Sequence, residues 1–507
     1  MDFYPWFTEE QRRFADEVSV FVKEVLARSV ETRWSREFPF DIFSKIGEKG
    51  YSGAAIPKEY GGLGLGATGA CIAVEEMGRL GGLSRVFVAN MLGGLRQLLE
   101  YGTEEQKQQF LPRITKGEIG AIVITEPFVG TDAASIQTIA RKEGDLYILN
   151  GKKRFIVSAG VASRYMVYAR TSEALEDVKK YRHLTAFVLE KGVPGFTVEK
   201  INEVMGFSNL QNGVLNFHNV AVPAWNRVGE EGEGWRVMTA GLNFERTLIC
   251  AMVTGWIGEA LRSVVPHAER RVQFGRPTID IPENQFKIAN LIIKKNMARL
   301  ATYHTAHLWD LGTTDITLES NVSKVFCCEA AVEASLEAIQ AIGGDAVTSF
   351  YPLTEILAQS KVENMGGGTM EACRLVIFRS GMRRMAEDFR MGRRAIHPVL
   401  GVPVPVTGPQ PKEKDLTEEK LLSLLAEDYR VNPGLFMSRE DIKESCDVDD
   451  PSLDDLLLSL ERKGLAVLNR TKKGIGLAKA TYGGLDKAHP PEYYRWFPAW
   501  ASKDRVF

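Results

Sequence analysis

The chain has 507 residues, with 63 Lys and Arg against 65 Asp and Glu, for a formal net charge of -2. Near-neutrality gives no sign of nucleic acid or an acidic membrane surface as the main partner, and 44% hydrophobic with 25% charged residues is the make-up of a soluble protein with substantial cores. The six cysteines (Cys71, Cys250, Cys327, Cys328, Cys373 and Cys446) form no CxxC pair, so reduced thiols in a cytoplasmic setting are expected. The start, Met1-Asp-Phe-Tyr-Pro-Trp, lacks the flank and apolar run of a signal peptide, and no uninterrupted apolar stretch reaches membrane-spanning length.

Residues 1–120 read as a helical domain. Phe14, Val18, Phe21, Val22 and Val25 recur at helical spacing, and Cys71–Arg79 and Glu104–Phe110 continue the pattern. Over 121–233 the period falls to two, in short runs such as Tyr165–Arg170, Leu184–Leu189, Phe196–Lys200 and Val214–His218, punctuated by Gly, Pro and Asn. Helical spacing returns over 234–395. Pro398, Pro403, Pro405, Pro409 and Pro411 mark a linker over 396–415 that cannot continue a helix. Over 416–482 three short helices and a possible two-stranded wing (Ala466–Leu468, Gly476–Ala478) resemble a winged-helix module. Residues 483–507 form a tail whose Tyr493-Tyr-Arg-Trp-Phe-Pro-Ala-Trp500 is too aromatic to be left free in water.

Three segments carry a resemblance: Ile124-Thr-Glu-Pro-Phe-Val-Gly-Thr-Asp132, His267-Ala-Glu-Arg-Arg-Val-Gln-Phe-Gly275 and Gln340-Ala-Ile-Gly-Gly344. In this order and spacing they are similar to the acyl-CoA dehydrogenase family, over roughly residues 5–395. The resemblance implies an α+β protein with an N-terminal α-helical domain, a central β-barrel-like domain and a C-terminal four-helix bundle. The winged-helix-like domain is an appendage the family does not normally have.

The same resemblance implies FAD held by groups from two subunits of a homotetramer or homodimer. In the β domain Ile124, Thr125 and Thr131 match contacts to the flavin ring and pyrophosphate. Phe155 stands where a Trp usually covers the ring, and Val157 where a Thr or Ser often bonds flavin N5, with Ser158 beside it. Arg271 and Phe274 match pyrophosphate and adenine contacts, and Gln340, Gly343 and Gly344 the second cofactor loop, with Thr369 completing the cofactor set. The residue types suit the task, because hydroxyls and backbone N–H groups bond flavin without added charge and Arg pairs with phosphate.

Gly366-Gly367-Gly368-Thr369 occupies the place of the family's Glu-Gly-Thr, and counting without gaps puts Gly367 where the catalytic Glu is expected. The backbone N–H of Gly367 can still bond the thioester carbonyl. The carboxylate has a candidate elsewhere, in Leu242-Asn-Phe-Glu-Arg246. This resembles the Leu-x-x-Glu-Arg segment of the isovaleryl-CoA and long-chain branches, which place their base on this helix. Glu245 is thus the expected base, in an apolar setting that would raise its pKa, and the competing structural reading is an ordinary pair with Arg246. Asn243 and Arg246 are expected near the thioester, and Asn90, within the lining segment from Phe87 to Leu95, near the acyl group. Arg85 is read as a helix-surface residue or, with less support, as a partner for an anionic acyl chain.

The expected activity is α,β-dehydrogenation of an acyl-CoA, with electrons passed to an electron-transferring flavoprotein. Alternatives are an enoyl-CoA reductase, a non-oxidising, desulfinase-like flavoprotein, or a DNA-associated flavoprotein of the alkylation-response type. Eight acidic and two basic residues between Arg439 and Asp455 argue against a groove-reading helix. Gly61-Gly-Leu-Gly-Leu-Gly66 lacks a preceding strand and is read as a structural loop. His304, His307 and Asp310 recur three apart, which a packed helix face explains better than a metal.

Overall fold

The stretch from Gly234 to Arg270 is apolar on nearly every side, and a helix with no polar face must be enclosed. In the computed structural model, which describes residues 4–35, 37–389, 415–431, 434–471 and 474–488, it forms one 37-residue helix. By length and composition it could cross a membrane, yet 78% of its apolar window is buried inside the protein. Helices before and after it in the first unit, Met1–Met382, pack against it.

The N-terminal layer comprises α1 (Glu9–Ser35), α2 (Phe40–Glu48), α3 (Gly66–Met77), α4 (Leu83–Leu92), α5 (Leu95–Tyr101) and α6 (Glu104–Thr115). Every residue of α4 is buried. The glycine loop before α3 is structural, as expected. Gly66 adopts φ +70°, and a Cβ there would lie 2.2 Å from Asp310 Oδ1. Its absence lets the Asp310 carboxylate accept from Ala67 N at 2.6 Å and Thr68 N at 3.1 Å, which caps the start of α3. Asp310 therefore acts as a cap for α3.

The central layer is an eight-stranded sheet: β1 (Gly120–Val123), β2 (Ile139–Glu143), β3 (Leu146–Ile156), β4 (Arg164–Arg170), β5 (Leu184–Glu190), β6 (Phe196–Ile201), β7 (Gly213–Pro223) and β8 (Arg227–Val228), with the short helix α7 (Leu175–Lys179) before β5. The order is β6-β7-β3-β2-β4-β5-β8, with β1 pairing β4 in parallel. Among the described residues no strand pairing joins β6 to β8, so hydrogen bonding leaves the sheet open rather than closed into the expected barrel-like form. A capping box between Thr103 and Gln106 starts α6, and Gln106 Nε2 also donates to Arg227 O at 2.8 Å, tying the helices to the sheet.

The third layer holds α8 (Gly234–Arg270), α9 (Pro282–Asp310), α10 (Thr317–Ile342), α11 (Leu353–Glu363) and α12 (Met370–Phe389). It has five helices rather than the four expected, because the chain turns at Gly343 and again in the glycine run. Between α8 and α9, β9 (Val272–Gln273) and β10 (Arg276–Pro277) form a hairpin. Its two-residue turn, Phe274 (φ 52°) and Gly275 (φ 74°), has the left-handed pair that tight hairpins favour. Glu75 on α3 accepts from Arg299 Nε at 3.0 Å and from Tyr303 OH at 2.7 Å, which joins the first layer to α9.

The second unit, Arg383–Phe507, contains α13 (Glu418–Val431), β11 (Met437–Ser438), α14 (Arg439–Ser445), α15 (Asp450–Arg462), β12 (Ala466–Thr471), β13 (Gly474–Ala480) and α16 (Tyr482–Ala488). Its sheet has the order β11-β13-β12, and Leu421, Leu425, Ile442, Leu453, Leu457 and Ala478 belong to a core of its own. Leu485 of α16 is part of that core, so the packed unit runs past residue 482. The proline run from 398 to 411, Lys472, Lys473 and the aromatic segment 493–500 lie outside the described residues.

Asp310→Ala should remove the cap on α3 and lower stability by about 1–2 kcal/mol, measured by denaturant unfolding, with flavin content unchanged.

Candidate active site

The glycine run forms the turn between α11 and α12. Gly367 (φ 63°) and Gly368 (φ 101°) are left-handed, a conformation that costs other residues strain. Two cations, the half-buried Arg246 and the buried Lys324, hold the turn by its carbonyls. Arg246 Nε donates to Gly367 O at 3.0 Å and Lys324 Nζ to Gly368 O at 2.7 Å. The Gly367 N–H donates to nothing among the described residues. A Cβ at Gly367 would lie 3.1 Å from Ile249 Cδ1 and 3.6 Å from Glu245 Cγ. The empty side-chain position thus borders the side chain of Glu245.

Glu245 is 3% exposed and does not pair with Arg246 on a surface. Its Oε1 accepts from Arg85 Nη2 at 2.7 Å, and Arg85 Nε lies 3.1 Å from Glu363 Oε1. Two expectations are corrected here. The setting of Glu245 is not purely apolar, and Arg85 is no surface residue but a guanidinium buried between two carboxylates. Burial, and secondarily the charge of Glu245, push the Glu363 carboxyl above its ordinary pKa, against the opposing pull of Arg85. Burial draws the Arg246 guanidinium down. Glu363 and Lys324 escaped the sequence reading. Spacing three residues ahead of the glycine run was the available signal for Glu363, but a Glu at a helix end usually faces water.

Asn243 positions Arg246, since its Oδ1 accepts from Arg246 Nη1 at 2.7 Å while its Nδ2 donates to Thr317 Oγ1 at 3.3 Å. Asn90 does not face the site. It is fully buried, with Nδ2 on Ser52 Oγ at 3.0 Å and Oδ1 accepting from Gly120 N at 3.2 Å. Both halves of its amide are occupied in joining α4 to β1. Thr369 Oγ1 accepts from Ala372 N at 3.2 Å and caps α12.

The expected cofactor residues fall on two surfaces. On the sheet, Thr131 and Phe155 are exposed, and Phe155 (φ 60°) has Arg154 stacked over its ring at 4.4 Å. Ile124 and Thr125 are shaped from behind by Lys153, whose Nζ donates to Ile124 O at 3.0 Å, and by Arg154 N, which donates to Thr125 O at 2.8 Å. Lys153 is fully buried and pairs with Glu126 at 2.9 Å, while Glu126 also accepts from Gln137 N and Thr138 N. Burial brings Lys153 down to about 8, and Lys153 holds Glu126 below the carboxylate range despite burial of the pair. Val157 is half-buried. Ser158 (φ 66°) has its N–H on Leu210 O at 3.2 Å, and its buried hydroxyl has no hydrogen-bond partner among the described residues.

The second surface lies at the end of α8. Arg262, Arg270 and Arg271 line an open cavity of about 460 Å³ with His267 and Tyr351, and His267 Nδ1 is 2.8 Å from Tyr351 OH. Phe274 is 94% exposed, and Gln340, Gly343 and Gly344 are exposed at the end of α10. Three guanidinium groups around one cleft fit a pyrophosphate, and bare aromatic and glycine surfaces fit flat rings laid against them. The residues present therefore fit FAD.

Family models for the acyl-CoA dehydrogenase N-terminal, middle and C-terminal domains match residues 8–118, 121–220 and 232–382. An acyl-CoA dehydrogenase of Bacillus subtilis (strain 168) is 35% identical over 374 residues, which cover 73% of this chain and 97% of that protein. A mitochondrial isovaleryl-CoA dehydrogenase of Oryza sativa subsp. japonica is 33% identical, covering 74% and 91%. The structure of butyryl-CoA dehydrogenase from Megasphaera elsdenii superposes with a TM-score of 0.72 at 31% identity, covering 76% and 100%. The chain belongs to the acyl-CoA dehydrogenase family, whose members are FAD-dependent oxidoreductases, and its cofactor is FAD.

Glu126→Gln would leave Lys153 buried without its counter-ion, which costs roughly 3 kcal/mol near neutral pH. Because the native Lys153 value of about 8 lies below the ordinary 10.5, native Lys153 gives up its proton first as pH rises. The deficit of the variant should therefore shrink toward pH 9 or 10. Urea unfolding at two pH values reads both effects.

Proposed function

We propose that the protein dehydrogenates an acyl-CoA between its α and β carbons with Glu245 as the base, as a member of the branches that carry the base on this helix. The observation that supports this most is the juxtaposition at Gly367. The position where a catalytic Glu is expected has no side chain, and the space beside it borders Glu245 Cγ. The thioester carbonyl bonds the free Gly367 N–H, which is available because Arg246 and Lys324 hold the turn by its oxygens instead. That bond disperses enolate charge as the α-proton moves to a Glu245 oxygen. Bound FAD supplies the hydride acceptor for the β-hydrogen. The buried, fully packed α4 and the half-buried Leu242 close the acyl end against water.

Ile124, Thr125, Thr131, Phe155 and Val157 hold the flavin end, while Arg271, Phe274, Gln340, Gly343 and Gly344 take the pyrophosphate and adenine of a cofactor shared with a second subunit. A homotetramer is supported by two exposed apolar stripes. One is Phe286, Ile293, Met297 and Leu300 on α9, and the other Leu375, Phe378 and Met382 on α12. Electrons leave to an electron-transferring flavoprotein. All six cysteines are free and buried, in keeping with a reducing, cytoplasmic setting. The second unit is read as a winged-helix-like module that contacts protein. Arg439 and Lys443 pair with Asp450, and Arg470 with Glu461, so the cations of its described part are largely engaged internally.

Glu245→Gln should retain its flavin and lose at least about 100-fold in kcat, read by anaerobic bleaching of the flavin with a panel from butyryl-CoA to palmitoyl-CoA. Retained bleaching would refute the assignment. Arg271→Ala should keep the fold but release FAD on dilution, read as flavin absorbance per protein.

A further inference from the structure

Arg85 faces two carboxylates, and only one of them is needed as a base. Glu363 is 1% exposed, its Oε1 is the one on Arg85 Nε, and its Oε2 has no hydrogen-bond partner. That free oxygen points at the glycine run, since a Cβ at Gly366 would lie 2.6 Å from it. A buried carboxylate with one oxygen unpartnered is costly to keep. Glu363 does not cap a helix N-terminus or bridge to the surface. Among the described residues it forms an ion pair only with the guanidinium that also holds Glu245.

The charges facing Glu363 come from three elements. Arg85 comes from α4, Glu245 from α8, and Lys324 from α10, which also brings the Cys328 thiol, pushed up by burial. Lys324 and the nearby Arg246 are anchored on the carbonyls of Gly368 and Gly367. Consider what happens when the α-C–H bond breaks, the proton goes to a Glu245 oxygen and the electron pair stays on the substrate as enolate. Glu245 becomes neutral. Without a second carboxylate, Arg85 would then be a buried cation with no counter-charge, and proton uptake by Glu245 would be opposed by Arg85, Arg246 and Lys324 together.

We propose that Glu363 is a positioning residue for proton transfer, holding Arg85 so that Glu245 can accept the α-proton without leaving the guanidinium uncompensated. The proposal rests on Glu245 being the base. Glu363 lies at the side-chain vacancy of Gly366 in the same way that Glu245 lies at that of Gly367, so the run of three glycines makes room for two carboxylates. Arg85 then serves as a shared counter-ion that passes from a bridging position to full pairing with Glu363 as Glu245 is protonated.

The test uses the full-length, FAD-loaded protein and the acyl-CoA among butyryl-, isovaleryl- and octanoyl-CoA that bleaches it fastest. Glu363→Gln should keep its flavin and a KM within a few-fold of the parent, while kcat falls by about 10- to 100-fold. The α-deuterium isotope effect on kcat should rise. The acid limb of the pH–rate profile should move to lower pH, because the base now yields its proton more readily. Adding Arg85→Gln to Glu363→Gln should restore part of the loss, a non-additivity that a merely structural role would not produce. If Glu363→Gln does not hold flavin, the comparison is Arg85→Gln against the double variant. There the loss of Glu363 should cost little, and a further fall of about tenfold or more would overturn the proposal. An unshifted acid limb and parental kcat in Glu363→Gln, with Glu245→Gln inactive, would also overturn it while leaving Glu245 as base. Activity in Glu245→Gln would remove the base assignment itself.

Discussion

One buried guanidinium organises the catalytic end of this molecule. Arg85 joins α4 to α8 through Glu245 and to α11 through Glu363. Each of these three ions would cost several kcal/mol if buried alone, and none has water to fall back on. They are tolerable only together, which fixes the relative placement of three helices and of the glycine turn that follows α11. Lys324 and Arg246 extend the same logic to the turn, since the buried Lys324 and the half-buried Arg246 each meet a backbone carbonyl rather than a carboxylate. The glycine carbonyls therefore point at the cations, and the amide of Gly367 has no acceptor among the described residues.

Burial on this scale follows from α8. Its apolar circumference obliges the other helices to surround it, and anything polar on that helix is carried into the interior with it. Glu245 and Arg246 are such passengers. A carboxylate placed on a solvent-facing helix would be hydrated and weakly basic in effect, whereas here the enclosing packing decides which charges it meets. The same principle operates on the sheet, where Glu126 and Lys153 form a pair behind the segment that carries Ile124 and Thr125. In both places an ion pair inside the protein fixes backbone that a ligand meets from outside.

The three layers and the family were legible in the sequence because they depend on period and on residue types with narrow uses. Alternation marks a strand, a run of apolar residues with no polar face marks an enclosed helix, and left-handed glycines mark a turn that side chains would obstruct. Side-chain partners over long sequence separations were not legible. Arg85 and Glu245 lie 160 residues apart, and nothing local to either shows that they meet. Asn90 was misjudged for the same reason: its type suited a substrate contact, but Ser52 and Gly120 occupy its amide. The open sheet was missed because alternation reports which face is buried and is silent on whether the outer strands pair.

A missing side chain is informative only with knowledge of what occupies its space. At Gly367 the neighbours are Ile249, Glu245 and Arg246, and at Gly366 the neighbour is Glu363. A loop that had merely lost its carboxylate would be expected to fill with apolar atoms or to collapse, since an interior void forfeits contacts on every side. Instead two carboxylates reach the glycine positions from different helices, and one cation answers both. That arrangement costs desolvation energy that an apolar filling would not, so it is poorly explained by stability alone. It is well explained if charge must change in this place during the reaction, because a group that is to gain a proton needs a neighbour able to take over its counter-ion. Under the proposal that Glu245 is the base, the glycine run is the steric condition for an electrostatic device that makes a base on α8 workable.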